Sequence, residues 1–577
     1  MNGGEIIARV VANHGVKFIF TLVGGHISPI LVAAGCCGIR VIDTRHEANA
    51  VFAADAVSRL TGVPGVAAVT AGPGITNTIT AVRNAMLAQS PLILLGGSAP
   101  TILKGRGALQ DIDQMSLMKP NVKWAVAIKN VREIVPALVK AFGIAQEGVP
   151  GPVFVECPID LLYDESLIRE WYGKGNSKKP SGLKDQALQW YVDRHLKKLF
   201  AGKESISTSV TPQVVKYKHH SASDVQSVLV QLAKASRPVI LVGSGAMMQP
   251  QRAGVLAVAL QRLNIPVYLS GMMRGTLGKD HPQQLRHHRK EALREADLIV
   301  LAGVPCDFRL DYGRHLNKNA FTIGIHRSRK DLTQNRKPSL ALECDPADFL
   351  IDLASVAPPN KSWPSWHETL IQRDREREKS IAEQAGQPTQ GINPIHLFRT
   401  LDLSLKDNAI LIADGGDFVA TSSYTLKPRK PLSWLDPGVF GTLGVGAGFA
   451  LGAKLCFPDA EVIIIYGDGS AGYSLMEYDT FMRHRIPVIS IIGNDACWSQ
   501  IARDQIELLK DDTATRLAYS NYETIGAAFG AQGKRVETID DFASAFEEAR
   551  LAAQKGMPFI INAIIGKTEF RKGSISM

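Results

Sequence analysis

Oxygen-bearing side chains follow two apolar runs in the last third of the chain, and their types suit a divalent cation. Asp468 lies in a Gly-Asp-Gly turn directly after the apolar run 462–466, and Asn494 lies 26 positions later, after a second apolar run. Carboxylate and amide oxygens are hard ligands of the kind that Mg²⁺ prefers. The glycines allow phosphate oxygens near the main chain, and a following helix N-terminus favours an anion. We therefore predict a site for magnesium and a diphosphate; the alternative for an isolated turn of this kind is an Asp that caps a helix.

The two apolar runs have the composition of buried parallel strands, and a helix-sized segment separates them. This order of strand, glycine turn, helix and strand forms a β-α-β unit, and it recurs from about residues 66, 238 and 462. Open parallel sheets bind ligands at the C-terminal ends of their strands, so Asp468 and Asn494 are expected at one sheet edge. We predict an α/β fold class with three doubly wound parallel-sheet domains.

Composition predicts where these domains end. A polar segment rich in lysine and serine and a later segment rich in proline, tryptophan and charge are both typical of linkers. The predicted bounds are 1–170, 171–220 (linker), 221–355, 356–392 (linker) and 393–577. Apolar residues recur at helical spacing over 188–200, which predicts an amphipathic helix in the first linker. Packing on its own domain is the favoured interpretation of that helix, and docking on a membrane surface is the alternative.

Overall composition indicates a soluble globular protein rather than a membrane or nucleic-acid-binding one. The chain has 577 residues, 21% charged and 45% hydrophobic, with a net charge of +10 that is spread along the sequence. That charge is compatible with an acidic substrate or an anionic surface, and no nucleic-acid motif accompanies it. The seven cysteines form no C-x-x-C pair, so reduced thiols are expected. Neither a signal peptide nor a membrane span is visible in the sequence.

Gly-Asp-Gly followed after about 25 to 30 residues by Asn is the signature of the thiamine-diphosphate-dependent enzymes, and the chain resembles this family over essentially its whole length. The resemblance implies that Asp468, Asn494 and the main-chain carbonyl of Ala496 bind Mg²⁺. The family often has a second Asn after the first, whereas this chain has Asp495. It also implies the order of pyrimidine-binding, central and diphosphate-binding domains.

The resemblance implies further cofactor-binding residues. Glu47, in an Arg-His-Glu sequence, matches the catalytic glutamate that bonds the pyrimidine ring of the cofactor and favours its reactive tautomer; a carboxyl facing a heterocycle in an apolar site can share a proton. Without the resemblance, Glu47 would be interpreted as a solvated acid at a helix start. Gly441 and Leu443 match the segment whose bulky apolar residue folds the cofactor into a V, and Gly469 and Ser470 belong to the turn that meets the diphosphate.

Two further residues are candidates for contacting the substrate oxygens. His26 and Gln110 lie in loops that resemble those of acyloin lyases and acetolactate synthases in this family, where a His relays protons and a Gln lines the active site. A His titrates near neutrality and suits that role. The alternatives are that His26 caps the next helix and that Gln110 bonds only its own loop.

The central domain departs from the flavin-binding members of the family. Those members carry an Arg in a G-x-R-x-D turn, whereas this chain keeps Asp307 but has its Arg displaced to position 309. FAD binding is therefore not favoured. An adenine nucleotide in the Gly243-Ser244-Gly245 turn is the alternative, and a single G-x-G is weak evidence for it.

The third domain resembles the 2-hydroxyacyl-CoA lyases of the family, in the stretches 415–418, 434–438, 467–473 and 570–576. The resemblance implies a lyase dependent on thiamine diphosphate and Mg²⁺ that cleaves a 2-hydroxyacyl-CoA to formyl-CoA and a fatty aldehyde, in fatty acid α-oxidation. The alternatives are condensation of 2-oxo acids by an acetolactate synthase-type enzyme and a catalytically idle, cofactor-binding regulatory subunit.

The same resemblance implies the surroundings of the enzyme. It implies a homodimer or homotetramer with active sites built across the interface. It also implies association with the endoplasmic reticulum membrane, although no N-terminal anchor is visible in this sequence, and a cytoplasmic location is the alternative. The basic residues Lys567, Arg571 and Lys572 are expected to meet the phosphates of coenzyme A, or else to form a solvated chain end.

Overall fold

Three six-stranded sheets, each with all its paired strands parallel, make up the computed structural model, which describes residues 1–173, 183–358 and 362–571. The chain divides into two compact units, one of residues 1–58 and 63–216 and the other of residues 59–62 and 217–577. The first unit contains one sheet and the second contains two. The predicted α/β fold of three parallel-sheet domains is confirmed.

The first unit has the strand order β2-β1-β3-β4-β6-β5. Its strands are β1 Phe18–Leu22, β2 Arg40–Asp43, β3 Gly65–Val69, β4 Leu92–Ser98, β5 Trp124–Ala127 and β6 Pro152–Pro158. Its helices are α1 Gly3–Asn13, α2 Ser28–Cys36, α3 Glu47–Thr61, α4 Pro73–Thr76, α5 Ile79–Leu87, α6 Gln114–Met118, α7 Ile134–Gln146, α8 Ile159–Leu162, α9 Glu165–Gly173 and α10 Leu183–Leu199. Every residue of β3, β4 and β6 is buried, because helices cover both faces of a parallel sheet.

The second unit contains two sheets, with strand orders β12-β11-β10-β7-β8-β9 and β14-β13-β15-β16-β18-β17. The strands of its central sheet are β7 Pro238–Val242, β8 Val267–Leu269, β9 Gln284–Leu285, β10 Leu298–Ala302, β11 Phe321–Ile325 and β12 Leu340–Leu342. Those of its last sheet are β13 Ile410–Asp414, β14 Trp434–Leu435, β15 Val462–Gly467, β16 Ile489–Asn494, β17 Gln532–Val536 and β18 Phe559–Ile564. The predicted strand at 462–466 is therefore β15.

Fourteen helices begin in this second part of the chain, among the described residues. They are α11 Ala222–Lys234, α12 Ala253–Leu263, α13 Arg289–Glu295, α14 Arg329–Leu332, α15 Pro346–Val356, α16 Pro364–Ala385, α17 Pro394–Ser404, α18 Asp417–Thr425, α19 Gly446–Cys456, α20 Asp468–Ala471, α21 Glu477–His484, α22 Ser499–Leu509, α23 Tyr522–Ala528 and α24 Ile539–Gln554.

The two segments predicted as linkers contain helices that pack on the sheets. In the first, the amphipathic helix is α10, whose Leu196 and Leu199 are buried in the core of the first unit, as the favoured interpretation predicted. Residues 174–182 of that segment lie outside the described residues. In the second, α16 is 22 residues long and was not predicted; its Trp366 indole donates to the Pro238 carbonyl at the start of β7. In the described parts of the chain, every helix is too short or too polar to span a bilayer.

The glycine that begins β3 is required by the close approach of α3. A Cβ added at Gly65 would overlap the carbonyl oxygen of Ala54 in α3, which is main chain and cannot move aside. We expect Gly65→Ala to lower the free energy of unfolding by about 2 kcal/mol or more, as overpacked core positions do. Gly35→Ala, in α2 with no atom within 4 Å of the new methyl group, is the matched control and should be neutral or stabilising by roughly 0.5 kcal/mol. Equal chemical-denaturation midpoints for the two variants would contradict this account.

Candidate active site

The register of the last sheet brings Asp468 and Asn494 to neighbouring strand ends. Gly467 pairs with Gly493 in the parallel ladder of β15 and β16, so the next residues along each strand are Asp468 and Asn494. Adjacent strands lie about 4.8 Å apart, which puts the two side chains at one short stretch of the C-terminal edge. The predicted pairing of an acid and an amide at this edge is what the register produces.

The Asp468 carboxylate is buried, and no basic side chain among the described residues forms an ion pair with it. It accepts main-chain hydrogen bonds from Gly469 at 2.8 Å and from Cys497 at 3.2 Å. Burial and the neighbouring Asp495 carboxylate raise the pKa of Asp468 to about 7. A desolvated carboxylate without a counter-charge is stabilised by a bound cation, so the donor chemistry at this position fits Mg²⁺.

Asn494 and Ala496 present further oxygens at the same edge. The Asn494 amide nitrogen donates to Ser520 and Asn562, and its Oδ1 accepts a 3.3 Å bond from the Ala496 main chain. Ala496 has a left-handed φ of 52°, and its carbonyl already accepts a bond from Leu517, so one lone pair remains for a metal. No group of three or more His, Cys, Asp and Glu suited to a metal occurs in the described residues. A metal at this edge would therefore depend on amide and carbonyl oxygens beside Asp468.

The Gly-Asp-Gly turn is tightly packed. A Cβ on Gly469 would overlap the indole of Trp498, so only glycine fits against that ring. The Ser470 hydroxyl donates to the main-chain carbonyls of Asp414 at 2.5 Å and Gly467 at 2.9 Å. The side chain of Ser470 thus holds the turn together, and its predicted contact with a diphosphate would come from the main chain. Because α20 is a single turn of helix, its dipole contributes little to anion binding.

Asp414 holds the glycine-rich loop that contains Gly441 and Leu443, and the sequence analysis did not identify it. Its fully buried carboxylate accepts main-chain hydrogen bonds from Gly444 at 3.1 Å and from Gly446 at 2.8 Å. Burial raises the pKa of Asp414 to about 7 against the effect of these two bonds. Gly441 has a left-handed φ of 64°, and Leu443 is half-buried. The signal in the sequence was an acid at the end of an apolar strand, the same signal that identified Asp468.

In the first unit, Glu47 is the first residue of α3, and only 4% of its surface is exposed. Its Oε2 accepts a 3.0 Å hydrogen bond from the side-chain amide of Asn77, which follows α4. A solvated helix-start acid would be exposed, so that alternative is wrong for Glu47. Asn77 was not identified from the sequence, although its amide fixes the orientation of the carboxyl group.

The structure brings His26 and Gln110 together through Thr70, which the sequence analysis missed. The Thr70 hydroxyl donates to Gln110 Oε1 at 3.4 Å, and His26 Nδ1 lies 3.2 Å from the same hydroxyl oxygen. His26 Nδ1 is therefore the donor, and Nε2 of the neutral ring is left as an acceptor. Burial lowers the pKa of His26 below its ordinary value of 6.5, which favours that neutral ring.

These first-unit residues also share one sheet edge. His26 follows β1, Glu47 follows β2 and Thr70 follows β3, and these three strands are neighbours in the order β2-β1-β3. Ligand sites of open parallel sheets lie at this C-terminal edge. His26 makes no side-chain cap to α2, whose first residue is Ser28, so the helix-cap alternative is not what the structure shows.

The glycine turn of the central sheet is filled by protein. A Cβ on Gly245 would lie 2.8 Å from the Cα of Gly303 and 3.0 Å from the His326 ring. Arg309 folds back on Asp307 with an N–O distance of 2.7 Å. It therefore does not take the place of the arginine that the flavin-binding members carry in this turn. The turn therefore uses its glycines for close main-chain packing.

The fold and these two sheet edges define a cofactor-dependent enzyme, and sequence comparison identifies the class. The chain matches the thiamine pyrophosphate enzyme N-terminal TPP binding domain over residues 1–117, the central domain over 225–353 and the C-terminal TPP binding domain over 414–563. The chain belongs to the thiamine pyrophosphate enzyme family.

Individual relatives cover nearly all of the chain. "2-hydroxyacyl-CoA lyase 2" of Danio rerio is 48% identical over 583 residues, which are 100% of this chain and 93% of the relative. The Homo sapiens protein of the same name is 47% identical, over 100% of this chain and 92% of the relative. "Probable acetolactate synthase" of Mycobacterium bovis is 31% identical over 566 residues, 98% of this chain and 96% of the relative.

Asp414 provides a test of how the glycine-rich loop is held. In Asp414→Asn the amide oxygen can accept from one main-chain N–H, but its NH₂ group faces the other. We expect roughly 1–3 kcal/mol lower stability and about tenfold weaker binding of thiamine diphosphate, measured by denaturation and calorimetry. Asp459→Asn, an exposed residue in the same unit, should change neither quantity. Unchanged cofactor affinity in Asp414→Asn would show that the loop is held by other contacts.

Proposed function

We propose that the protein is a thiamine-diphosphate-dependent carbon–carbon lyase that cleaves a 2-hydroxyacyl-CoA to formyl-CoA and a fatty aldehyde. The observation that carries this proposal is 48% identity, over the whole chain, to relatives named for that activity. Glu47, Asp468 and Asn494, the residues that the family signature requires, are all present and buried at sheet edges. The substrate class is taken from the relatives and the cofactor residues from the family signature, and the burial of Glu47, Asp468 and Asn494 supports that assignment.

We propose that the cofactor is held by the second unit of one chain together with the first unit of a partner chain. Asp468, Asn494 and the Ala496 carbonyl would hold Mg²⁺, and the main chain of Gly469 and Ser470 would meet the diphosphate. The loop that Asp414 fixes would place Gly441 and Leu443 against the cofactor. Glu47, oriented by Asn77, would share a proton with the pyrimidine ring. When bound, thiamine diphosphate supplies an electron sink for the pair released when a carbon–carbon bond next to a carbonyl breaks.

His26 and Gln110 would handle the two oxygens of the substrate. Nε2 of neutral His26 can accept the proton of the 2-hydroxyl group, whose oxygen becomes the aldehyde carbonyl as the bond between C1 and C2 breaks. The Gln110 side chain receives the Thr70 hydrogen bond on its oxygen, so its amide nitrogen can donate to the thioester carbonyl. The proton that His26 has accepted can then be returned to the thioester carbon, which completes formyl-CoA and leaves the ring neutral again.

The remaining parts of the proposal concern assembly, location and a second cofactor. We propose a homodimer or homotetramer in which each site combines Glu47 of one chain with Asp468 of another, as the family signature implies.

Association with the endoplasmic reticulum membrane remains a prediction, as does an adenine nucleotide in the Gly243-Ser244-Gly245 turn. The packing of Gly245 on Gly303 leaves that turn little room for a nucleotide, and FAD is disfavoured further because Arg309 is paired with Asp307.

A second candidate function is the condensation of 2-oxo acids, which the 31% identity to a probable acetolactate synthase favours. The buried Glu47, with its amide partner, counts against an idle regulatory subunit, because a carboxyl group without a function is costly to bury.

The decisive assay offers the protein, with thiamine diphosphate and Mg²⁺, either a 2-hydroxyacyl-CoA or pyruvate. We expect formyl-CoA and aldehyde from the first and little turnover of the second. Glu47→Gln should bind the cofactor but lose about 10²–10⁴-fold in kcat, because an amide cannot share the proton. Glu147→Gln, the same chemical change at an exposed site, is the control. Preferred turnover of pyruvate would establish the second candidate instead, and wild-type turnover by Glu47→Gln would remove Glu47 from the mechanism.

Shared sites would allow two inactive chains to complement each other. Glu47→Gln and Asp468→Ala should each be inactive alone, because each removes one half of every site. After subunit exchange, a mixed dimer contains one intact site, so random mixing should restore roughly a quarter of wild-type activity. Activity is measured before and after mixing, with exchange followed by mass spectrometry. Complete exchange without any recovery would show that each chain builds its own site.

A further inference from the structure

A cavity of about 460 Å³ in the second unit has six arginine and lysine side chains in its lining. It lies among β8, β9, the start of α13 and the segment that follows α18. We call it the basic cavity. Its arginine and lysine residues are Arg274, Arg286, Arg289, Lys290, Arg377 and Lys427, and the acidic residue in its wall is Glu291. A concave surface with this imbalance of charge attracts an anion that carries several negative charges.

Three of these guanidinium groups, on Arg274, Arg289 and Arg377, are half-buried and form no ion pair with a carboxylate of any described residue. Arg377 lies over the Phe570 ring, 5.3 Å from its centre. Arg274 donates to the Ser423 carbonyl at 2.8 Å and lies 5.2 Å from the centre of the Trp434 ring. Arg289 donates to the Arg309 carbonyl at 3.0 Å. By contrast, Arg286 pairs with Glu378 at 3.2 Å and Lys427 pairs with Asp280 at 3.2 Å. The charges of Arg274 and Arg289 are costly to desolvate, although Asp436 attracts Arg274 from a longer distance, and an anion bound in the cavity would offset that cost.

Burial desolvates Arg274 and Arg289 and thereby changes their pKa values. Burial lowers the pKa of Arg274 to about 10 and also lowers the pKa of Arg289. A guanidinium fork is suited to phosphate, with which it forms two parallel hydrogen bonds. Phosphate is therefore the anionic group that best matches the chemistry of this wall.

Aromatic groups and the chain end adjoin the same cavity. Tyr424 lines it and is 39% exposed, and its ring lies parallel to the His287 ring with centres 6.4 Å apart. Phe570 packs edge-on against Tyr424 with ring centres 5.9 Å apart, and the Arg571 guanidinium lies 5.2 Å from the centre of the same ring. Arg571 of the basic tail thus adjoins the cavity and also pairs with Asp417 at 4.0 Å, while Lys572 lies outside the described residues.

Helix α18 connects the basic cavity with the cofactor edge. It begins at Asp417, three residues after Asp414 at the end of β13, and Tyr424 lies near its other end. The step of seven positions from Asp417 to Tyr424 spans about 10 Å along a helix. A ligand that reaches from the sheet edge to the basic cavity must therefore be long, with its phosphates far from its reacting carbon. Coenzyme A has this form, because the pantetheine arm separates the thioester from the phosphorylated adenosine.

We propose that the basic cavity binds the phosphorylated nucleotide end of the coenzyme A part of the substrate, with Arg274 and Arg289 as its phosphate-binding residues. The inference rests on the proposed function for the identity of the substrate. The same phosphate chemistry is found in a free adenine nucleotide such as ADP, and the experiment separates the two sources.

The test uses the full-length enzyme loaded with thiamine diphosphate and Mg²⁺, and compares Arg289→Gln with Arg294→Gln. Both residues lie in α13 and both changes remove one positive charge, but Arg294 is exposed and outside the cavity wall. Calorimetry measures Kd for coenzyme A, pantetheine and ADP. We expect Arg289→Gln to weaken coenzyme A binding about tenfold or more, to leave pantetheine binding unchanged and to lose this difference at high salt. Its melting temperature should not fall, because an unpaired half-buried charge is removed.

The outcomes decide between the possible sources. Equal coenzyme A affinity in Arg289→Gln and Arg294→Gln would overturn the proposal, as would no binding of coenzyme A by the wild type. If Arg289→Gln weakens ADP binding but leaves coenzyme A binding unchanged, the cavity is a separate nucleotide site and the assignment to substrate is wrong. If coenzyme A binds as expected but no 2-hydroxyacyl-CoA is cleaved, the proposed lyase function fails while the coenzyme A site stands.

Discussion

Burying a charge without a partner is the constraint on which the ligand sites of this protein depend. At the edge of the last sheet the unpaired charge is negative, on Asp468, and its raised pKa records the cost of desolvation. At the basic cavity the unpaired charges are positive, on Arg274 and Arg289, and their lowered pKa values record the same cost. Binding of a cation at the first place and of phosphates at the second would relieve both. If the proposed ligands bind there, they would also stabilise the protein against unfolding, because they bind the folded chain and not the unfolded one.

Parallel strand pairing determines where the buried carboxylate of Asp468 lies. Pairing of Gly467 with Gly493 leaves no freedom in where Asp468 and Asn494 lie, and a shift of register by one residue would turn their side chains to opposite faces. Close packing limits the same turns further, because Gly469 fits only without a Cβ against Trp498. The positions of Asp468 and Asn494, two of the three proposed metal ligands, are therefore set by the pairing of β15 with β16.

Much of this arrangement could be predicted from the sequence, because strand, turn and helix alternate with strong periodicity. The three parallel sheets and β15 followed from apolar runs and glycine turns. Helix α16 could not be predicted, because the segment around it is rich in proline, tryptophan and charge, as linkers are. The hydrogen bond from Trp366 to the main chain at β7 shows that the helix packs on the central sheet. Asp414, Asn77 and Thr70 were missed for a related reason, since each acts on another residue rather than on a ligand and has no motif of its own.

The basic cavity lies beyond what sequence patterns can show, because its cations come from four separate segments that only the fold brings together. Its separation from the cofactor edge has a functional consequence. The residues proposed to hold thiamine diphosphate follow the strands of the first and last sheets, whereas Arg274 and Arg289 belong to the central part of the chain. If the basic cavity holds coenzyme A as proposed, changes in that part would alter substrate binding without disturbing the cofactor residues. Relatives named as acyl-CoA lyases and relatives named as acetolactate synthases belong to one family, and this cavity is then a place where their substrate binding would differ.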